Sequence, residues 1–458
     1  MKLPLRTRRP QGLVLGSCAV FAVLSLCSPS VARAASEPDR PMPDYDGRDG
    51  KGQPTTFGQA ALWLPRVVLF PAYVASEYVI RRPLGYAITA AEKANLPAEL
   101  YDFFTFGPDH QAGVVPLAFI DFGFRPSVGL YGFWDNAGVK GHSLRLTGST
   151  GGAHWLAGAL SERFQISRSV SIGWSGSLTR RPDYTFYGVG PDTREPDRSR
   201  YAADTAQAAV DVRASYWRSS AIDTSIGYRG VSFGPGDYGG DPSLPVQVER
   251  GVFDAPSGYA QGYRAPFVHS ALTLDTRPVE ARSESGGRLA LSAEEGSDFA
   301  HETQASWVRY GASLGGFWDL GDRGRVVSLS VAAEFSDPIG SRPIPFTELV
   351  TLGGNDKMPG FRTGRLRGRS SGVATLRYSW PIWLWLDGSL QAAVGNVFDQ
   401  HLSGASWGES RFSGALGIES RGSRDSVFQL LVGFGTETFD SGAALNSIRI
   451  VAGARSGF

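Results

Sequence analysis

Cysteine is almost absent from this chain. Only Cys18 and Cys27 occur among 458 residues, both within the first 27 positions, which leaves the body of the chain without a disulfide framework or a zinc–thiolate site. Histidine is nearly as sparse. His110, His142, His154, His269, His301 and His401 form no i, i+4 pair and no cluster, so no metal is expected. Neither a phosphate-cradling P-loop nor a dinucleotide fingerprint occurs, and no cofactor is expected. An excess of one charge is also missing: 45 Lys+Arg against 44 Asp+Glu give a net charge of +1, not the balance of a nucleic-acid binder. Beyond the first thirty residues there is no long hydrophobic run. The best, ALWLPRVVLFPAYVASEYVI at 61–80, is broken by Pro65, Arg66, Pro71 and Glu77. Proline removes a helix hydrogen bond and clashes with the preceding turn, so no transmembrane helix is expected.

What is present begins with an export signal. Lys2, Arg6, Arg8 and Arg9 precede an apolar stretch from Gly12 to about Leu26, and Ala32-Arg33-Ala34 supplies the A-x-A cleavage pattern. The stretch is too short for a membrane anchor. Lipoprotein boxes are weak. The one ending at Cys18 leaves a very short apolar region, and the one ending at Cys27 has leucine where a small residue belongs. Residues 1–34 are therefore read as a signal peptide that is removed. Its loss takes both cysteines, five basic residues and no acid, leaving 40 basic against 44 acidic residues and a net charge of −4. Residues 35–58, rich in proline, glycine and charge, read as a flexible linker. Residues 59–112 read as short amphipathic periplasmic helices, lying on the membrane surface or folded against a larger body.

From 113 to 458 the texture changes. Glycine is abundant, and apolar residues recur at every second position, as in VVSLSVAAEF (326–335), DSVFQLLVGFGTE (425–437) and NSIRIVAGARSGF (446–458). That period marks strands with one apolar and one polar face. A soluble sandwich or solenoid would also alternate. Here, however, the runs are near the ten residues that cross a bilayer as a tilted strand. Aromatic residues gather at run ends: Trp307, Tyr310, Phe317 and Trp318 in one run, and Tyr378, Trp380, Trp383 and Trp385 at another turn. Such girdles belong to bilayer interfaces. Tight turns alternate with long loops such as 234–264, and the chain ends on Phe458. About fourteen runs can be placed, the first at 127–134 and the last at 446–455, within a span that suits the even number sixteen. The expected fold is all-β: an antiparallel transmembrane β-barrel of 16 strands with a short helical periplasmic segment before it. The expected location is the cell outer membrane.

Four stretches carry a family resemblance. They are FYGVGPDT (186–193), LTLDTRPVEARSESGGRLAL (272–291), the run LGG…PGFRTGRLRGRSSGVATLRYSWPI starting at Leu352, and QAAVGNVFD (391–399). Their order, with a terminal phenylalanine, resembles the BamA/TamA outer-membrane assembly family (bacterial surface antigen barrels) over 113–458. The resemblance implies that 351–370 is the family's sixth loop, a lid folded into the lumen. It also implies a role in outer-membrane biogenesis, by insertion or translocation of proteins or lipids. The implied partners are the lipid bilayer, lipopolysaccharide and nascent outer-membrane proteins or lipids as cargo, for a monomeric barrel. A weak seam between first and last strands is expected with that role, and Gly453 and Gly457 dot the last strand.

The sequence departs from the family in two ways. The prolines and helical spacing of 36–112 argue against a POTRA module, so a POTRA-less barrel is expected. Inside the lid motif, Gly353, Gly354, Gly360 and Phe361 match, but Pro359 stands where the family has an arginine. Ala393 stands where the family has that arginine's aspartate partner. Losing both is coherent, because a single loss would strand a buried charge at a cost of about 3–5 kcal/mol. The lid is expected to be held by a shifted arginine, Arg362, Arg365, Arg367 or Arg369. Its expected lumen partners are Glu334, Asp387 and Gln391.

Two other classes remain open, a passive porin-like channel and a barrel lipid-modifying enzyme. G-x-S-x-G occurs around Ser232, Ser313 and Ser406, but three matches in a glycine- and serine-rich chain without a strand-to-helix elbow argue for chance. His269 and Asp275 share one strand face, which polar lumen packing explains. The chain is expected not to be an enzyme.

Overall fold

The computed structural model describes Tyr78 and residues 82–93, 95–278, 285–299, 305–320, 324–355, 357–383, 386–420 and 426–456. The expected signal peptide, the linker and Phe458 lie outside the described residues, and the expected periplasmic helices are described from residue 82 onward. Sixteen antiparallel strands form the barrel wall. They are β1 Ala112–Asp121, β2 Ser127–Asp135, β3 His142–Gly152, β4 Trp155–Gln165, β5 Val170–Phe186, β6 Ser199–Trp217, β7 Ser220–Pro235 and β8 Tyr263–Asp275. The second half comprises β9 Gly286–Ser297, β10 Ser306–Asp319, β11 Val326–Ile339, β12 Ser370–Trp383, β13 Leu386–Phe398, β14 Arg411–Ser420, β15 Ser426–Thr438 and β16 Leu445–Ser456. Each pairs with the next, and β16 returns to β1 to close the ring. Closure removes free sheet edges, the only way a sheet can satisfy its backbone inside a bilayer.

The two-residue period of the sequence becomes the two faces of this wall. Ile448 on β16 is exposed outward, while Arg449 and Val451 point inward and are buried. Leu130, Leu146, Leu178, Ile226, Leu314 and Val331 form part of the outward apolar belt. Long connections gather at one end: 187–198, 236–262, 340–369 and 399–410. The opposite end carries short turns, among them 166–169 and 218–219. In an outer membrane the long-loop end faces outward.

The sequence reading starts its strands at 127 and misses β1. The reason is Pro116 within a segment apolar at nearly every position, which masks the alternation. Val115 and Leu117 pack inward on Tyr131 and Phe133 of β2, while Val114 faces out. Before β1 come helices α1 Arg82–Lys93 and α2 Leu96–Phe104. Thr105 and Phe106 then turn back to pair with Gly113 and Ala112.

Candidate functional site

The loop 340–369 does not stand out from the barrel. Val350–Leu352 and Leu366–Gly368 pair as a short ladder, making the loop a hairpin that folds inward. Leu352, Met358, Phe361 and Leu366 are fully buried. They pack on Val373 of β12, Ala393 and Val397 of β13 and, at the margin, Ala332 of β11. These are inward-facing wall residues, so the loop occupies the lumen. Complete burial of such side chains stabilises by about 1.5–3 kcal/mol each. Ala393 is part of this apolar patch, where a carboxylate would be desolvated without an arginine to meet it. The Gly354 N–H donates to Phe361 O at 2.9 Å and the Phe361 N–H to Met358 O at 3.0 Å, closing the tip. Gly360 is needed there for space: a Cβ would lie 1.9 Å from Phe434 O of β15. Its N–H donates to Ser413 Oγ on β14 at 2.8 Å.

The basic residues expected to hold the lid find partners other than the expected acids. Arg365, buried, donates to Thr193 Oγ1 at 2.8 Å and Thr193 O at 2.9 Å. Its Nε lies 3.3 Å from Glu195, and its guanidinium lies over the Tyr187 ring at 4.3 Å. Burial, and after it the like charge of Arg411, lowers the Arg365 pKa from the usual arginine range. Arg367 donates to Phe346 O at 3.0 Å and covers the Phe346 ring. Arg369 reaches Asp337 and Gln400, both at 3.3 Å. Arg362 reaches Phe122 O and Glu195, both at 3.4 Å. Glu334 pairs instead with Lys357, and Gln391 donates to Lys357 O at 3.4 Å. Asp387 lies at the far, short-turn end, in register with Pro381 and Glu419. The expected arginine-to-Glu334 or Asp387 pairing is thus corrected. Lys357 is nearer to Glu334 along the folded hairpin, and the arginines turn toward the outer loops.

The principal lock runs the other way, from a loop acid to wall arginines. Glu348, whose side chain is 3% exposed, lies 2.9 Å from Nη1 of Arg229 on β7. It also accepts the Tyr263 hydroxyl of β8 and lies 3.8 Å from Arg309 of β10. Glu294 of β9 completes the group, 3.3 Å from Arg229 and 3.0 Å from Arg309. Phe346, two residues earlier, enters an aromatic knot, 5.5 Å from Phe186, 5.2 Å from Tyr201 and 4.9 Å from Phe233.

A second loop joins the first. Residues 187–198 leave β5, and the Gly190 N–H donates to Arg367 O at 2.8 Å. Pro191 O accepts from Asn396 of β13 at 3.3 Å and from Arg411 of β14 at 3.0 Å. Thr193 O accepts from Arg411 at 2.8 Å as well as from Arg365. Strands β5 and β13 stand on opposite sides of a sixteen-strand ring, so these contacts cross the lumen. Sequence reasoning missed Glu348, Arg411 and Arg449. The available signal was a charged residue on the inward face of a strand, or just before LGG.

The seam is the other feature of the site. Among the described residues, β16 and β1 share three paired positions, Val451–Asp121, Ala452–Ile120 and Gly453–Phe119. Other neighbouring strands share eight or more, as in β1–β2. Gly453 has φ 142°, and a Cβ there would lie 2.2 Å from Ala118 O. Beyond it the described residues of β16 pair with β15. Pro116, which has no N–H for a ladder, falls in the stretch of β1 without a β16 partner.

The serines of the G-x-S-x-G matches lie apart: Ser232 on β7, Ser313 on β10 and Ser406 in loop 399–410. His269 is 3.8 Å from Glu294, whereas Asp275 binds Arg277 and Ser220 at the short-turn end. The structure does not bring these two together. Among the described residues, no three His, Cys, Asp or Glu side chains are placed to hold a metal ion.

Comparison with known proteins adds the family. Residues 136–427 match the Omp85 superfamily domain. No curated protein sequence matches the chain. Among solved structures, BamA from Haemophilus ducreyi lacking POTRA domains 1–3 is similar in fold, with a TM-score of 0.53 and 13% identity. The match covers 75% of this chain and 70% of that one. CdiB from Escherichia coli aligns with a TM-score of 0.49 and 14% identity, covering 76% of this chain and 64% of its own.

Proposed function

The chain belongs to the Omp85 superfamily, and from that membership we propose that this outer-membrane barrel inserts or translocates proteins or lipids in outer-membrane biogenesis. The observation that carries the reading is the seam. Among the described residues, a wall whose other joints hold eight or more residue pairs has one joint of three. That joint is where the wall parts at least cost, and parting there opens the lumen sideways to the bilayer. Cargo in this reading is a nascent outer-membrane protein or a lipid. The outward apolar belt meets lipid and lipopolysaccharide, and the barrel acts as a monomer. Residues 1–34 serve as the removable export signal, and 59–112 form the periplasmic segment.

A passive channel is disfavoured by the two loops that cross the lumen, held by Glu348, Arg365 and Arg411. No enzymatic step is proposed. The test is depletion of the protein in its host, followed by a census of outer-membrane proteins and lipids. The reading expects that composition to change. Unchanged composition with altered solute permeability would favour the channel instead.

A further inference from the structure

The lid tip and the seam meet at one buried arginine. Arg449 on β16, 1% exposed at its side chain, binds Asp121 at the end of β1 through two bonds, 3.1 and 2.8 Å. Its remaining Nη1 donates to Pro359 O of the lid at 3.4 Å. At the next lid residue, the Ser447 hydroxyl of β16 donates to Gly360 O at 2.7 Å. On the other side of the seam, Arg362 reaches Phe122 O, just past β1. Residues 359–362 therefore touch β16 and the residue that follows β1, at the outer half of the seam. There, among the described residues, the backbone supplies the three pairs and one more bond, from the Phe122 N–H to Ile450 O at 3.0 Å.

We infer that residues 359–362 staple the seam shut, with Arg449 as the shared peg, so that lid release and seam opening are one event. A guanidinium has five donors in a fixed fork. Here the fork serves a carboxylate across the seam and a carbonyl on the lid together. Removing either acceptor leaves a buried donor unmet, and the remaining contact is weakened with it. Pro359 suits the role: no side-chain charge competes with its carbonyl for Arg449. The inference deepens the proposed function and rests on it only for the biological use of the opening. The coupling itself is read from purified protein without cargo, so its failure and the failure of the proposed function are separable.

The experiment is hydrogen–deuterium exchange on the full chain in lipid vesicles, following seam peptides with 119–122 and 450–453 and a tip peptide with 357–362. Asp121→Asn alters only the seam. Gly360→Val changes a lid residue and expels the tip from Phe434 of β15, a strand outside the seam. Each is expected to speed exchange in both regions by about tenfold or more, the effect of losing hydrogen bonds to a charged group. Faster exchange confined to the altered region, in either variant, overturns the coupling. Ser447→Ala, which removes one hydroxyl and no packing, covers the case in which Gly360→Val does not fold. It is expected to speed both regions several-fold, and a seam unchanged in this variant likewise overturns the staple.

Discussion

Replacing Glu348 by glutamine tests how the lid is held. The carboxylate is 3% exposed and accepts from Arg229 at 2.9 Å and from the Tyr263 hydroxyl. Glutamine keeps the shape and one acceptor oxygen but turns a donor toward a guanidinium. Arg229 and Arg309 are then left to share the single Glu294 carboxylate. Breaking a buried ion pair from one side costs about 3–5 kcal/mol. Arg309 is one-third exposed, so water relieves part of the loss and the lower end, about 3 kcal/mol, applies. At tenfold per 1.4 kcal/mol, the released lid becomes on the order of a hundredfold more populated. Trypsin reads this directly, because Lys357, Arg362, Arg365 and Arg367 are shielded while the hairpin is inside. When closing is fast, cleavage follows the open population. Removing the arginine as well, in Arg229→Met with Glu348→Gln, leaves Arg309 and Glu294 one to one and is expected to restore much of the protection. Cleavage of Glu348→Gln within about twofold of wild type would refute the lock.

Arg365→Met should free loop 187–198 and open the bond after Arg198, whose side chain is 28% exposed, to trypsin, with a loss on the order of 2 kcal/mol from hydrogen bonds to a charged group. Unchanged protection there would show that Arg411 suffices alone. Gly453→Val forces a side chain into left-handed φ against Ala118 O. It is expected to cost about 1–3 kcal/mol, seen as a lower temperature for the folded-to-unfolded shift on a cold-loaded gel. In planar bilayers the wild-type barrel should pass little current and Glu348→Gln more. A wild-type conductance equal to that of the lid-released variant would remove the argument against a channel.

The barrel was legible because the bilayer imposes a period of two over many strands, and each strand adds to the same signal. β1 was not, since Pro116 and apolar residues on both faces hide that period. The loop 351–370 was legible as a motif, through Gly353, Gly354, Gly360 and Phe361. Its partners were not. Glu348 meets Arg229 across 119 residues of sequence, and Arg449 meets Asp121 across 328. No local pattern specifies which of several inward charges will face one another once the ring closes. That Pro359 stands where the resemblance places an arginine was visible in the sequence. That Arg449 of the last strand reaches the Pro359 carbonyl was visible only in three dimensions.

The most direct measurement is a reversible lock on the seam. Ile120 and Ala452 are register partners, and the chain's own cysteines lie at positions 18 and 27. A chain with Ile120→Cys and Ala452→Cys, expressed in depleted cells, is expected to form the cross-seam disulfide and fail to restore outer-membrane protein and lipid composition. With reductant it should restore that composition. Equal restoration by the locked and the reduced barrel would contradict a function that works through the opening seam.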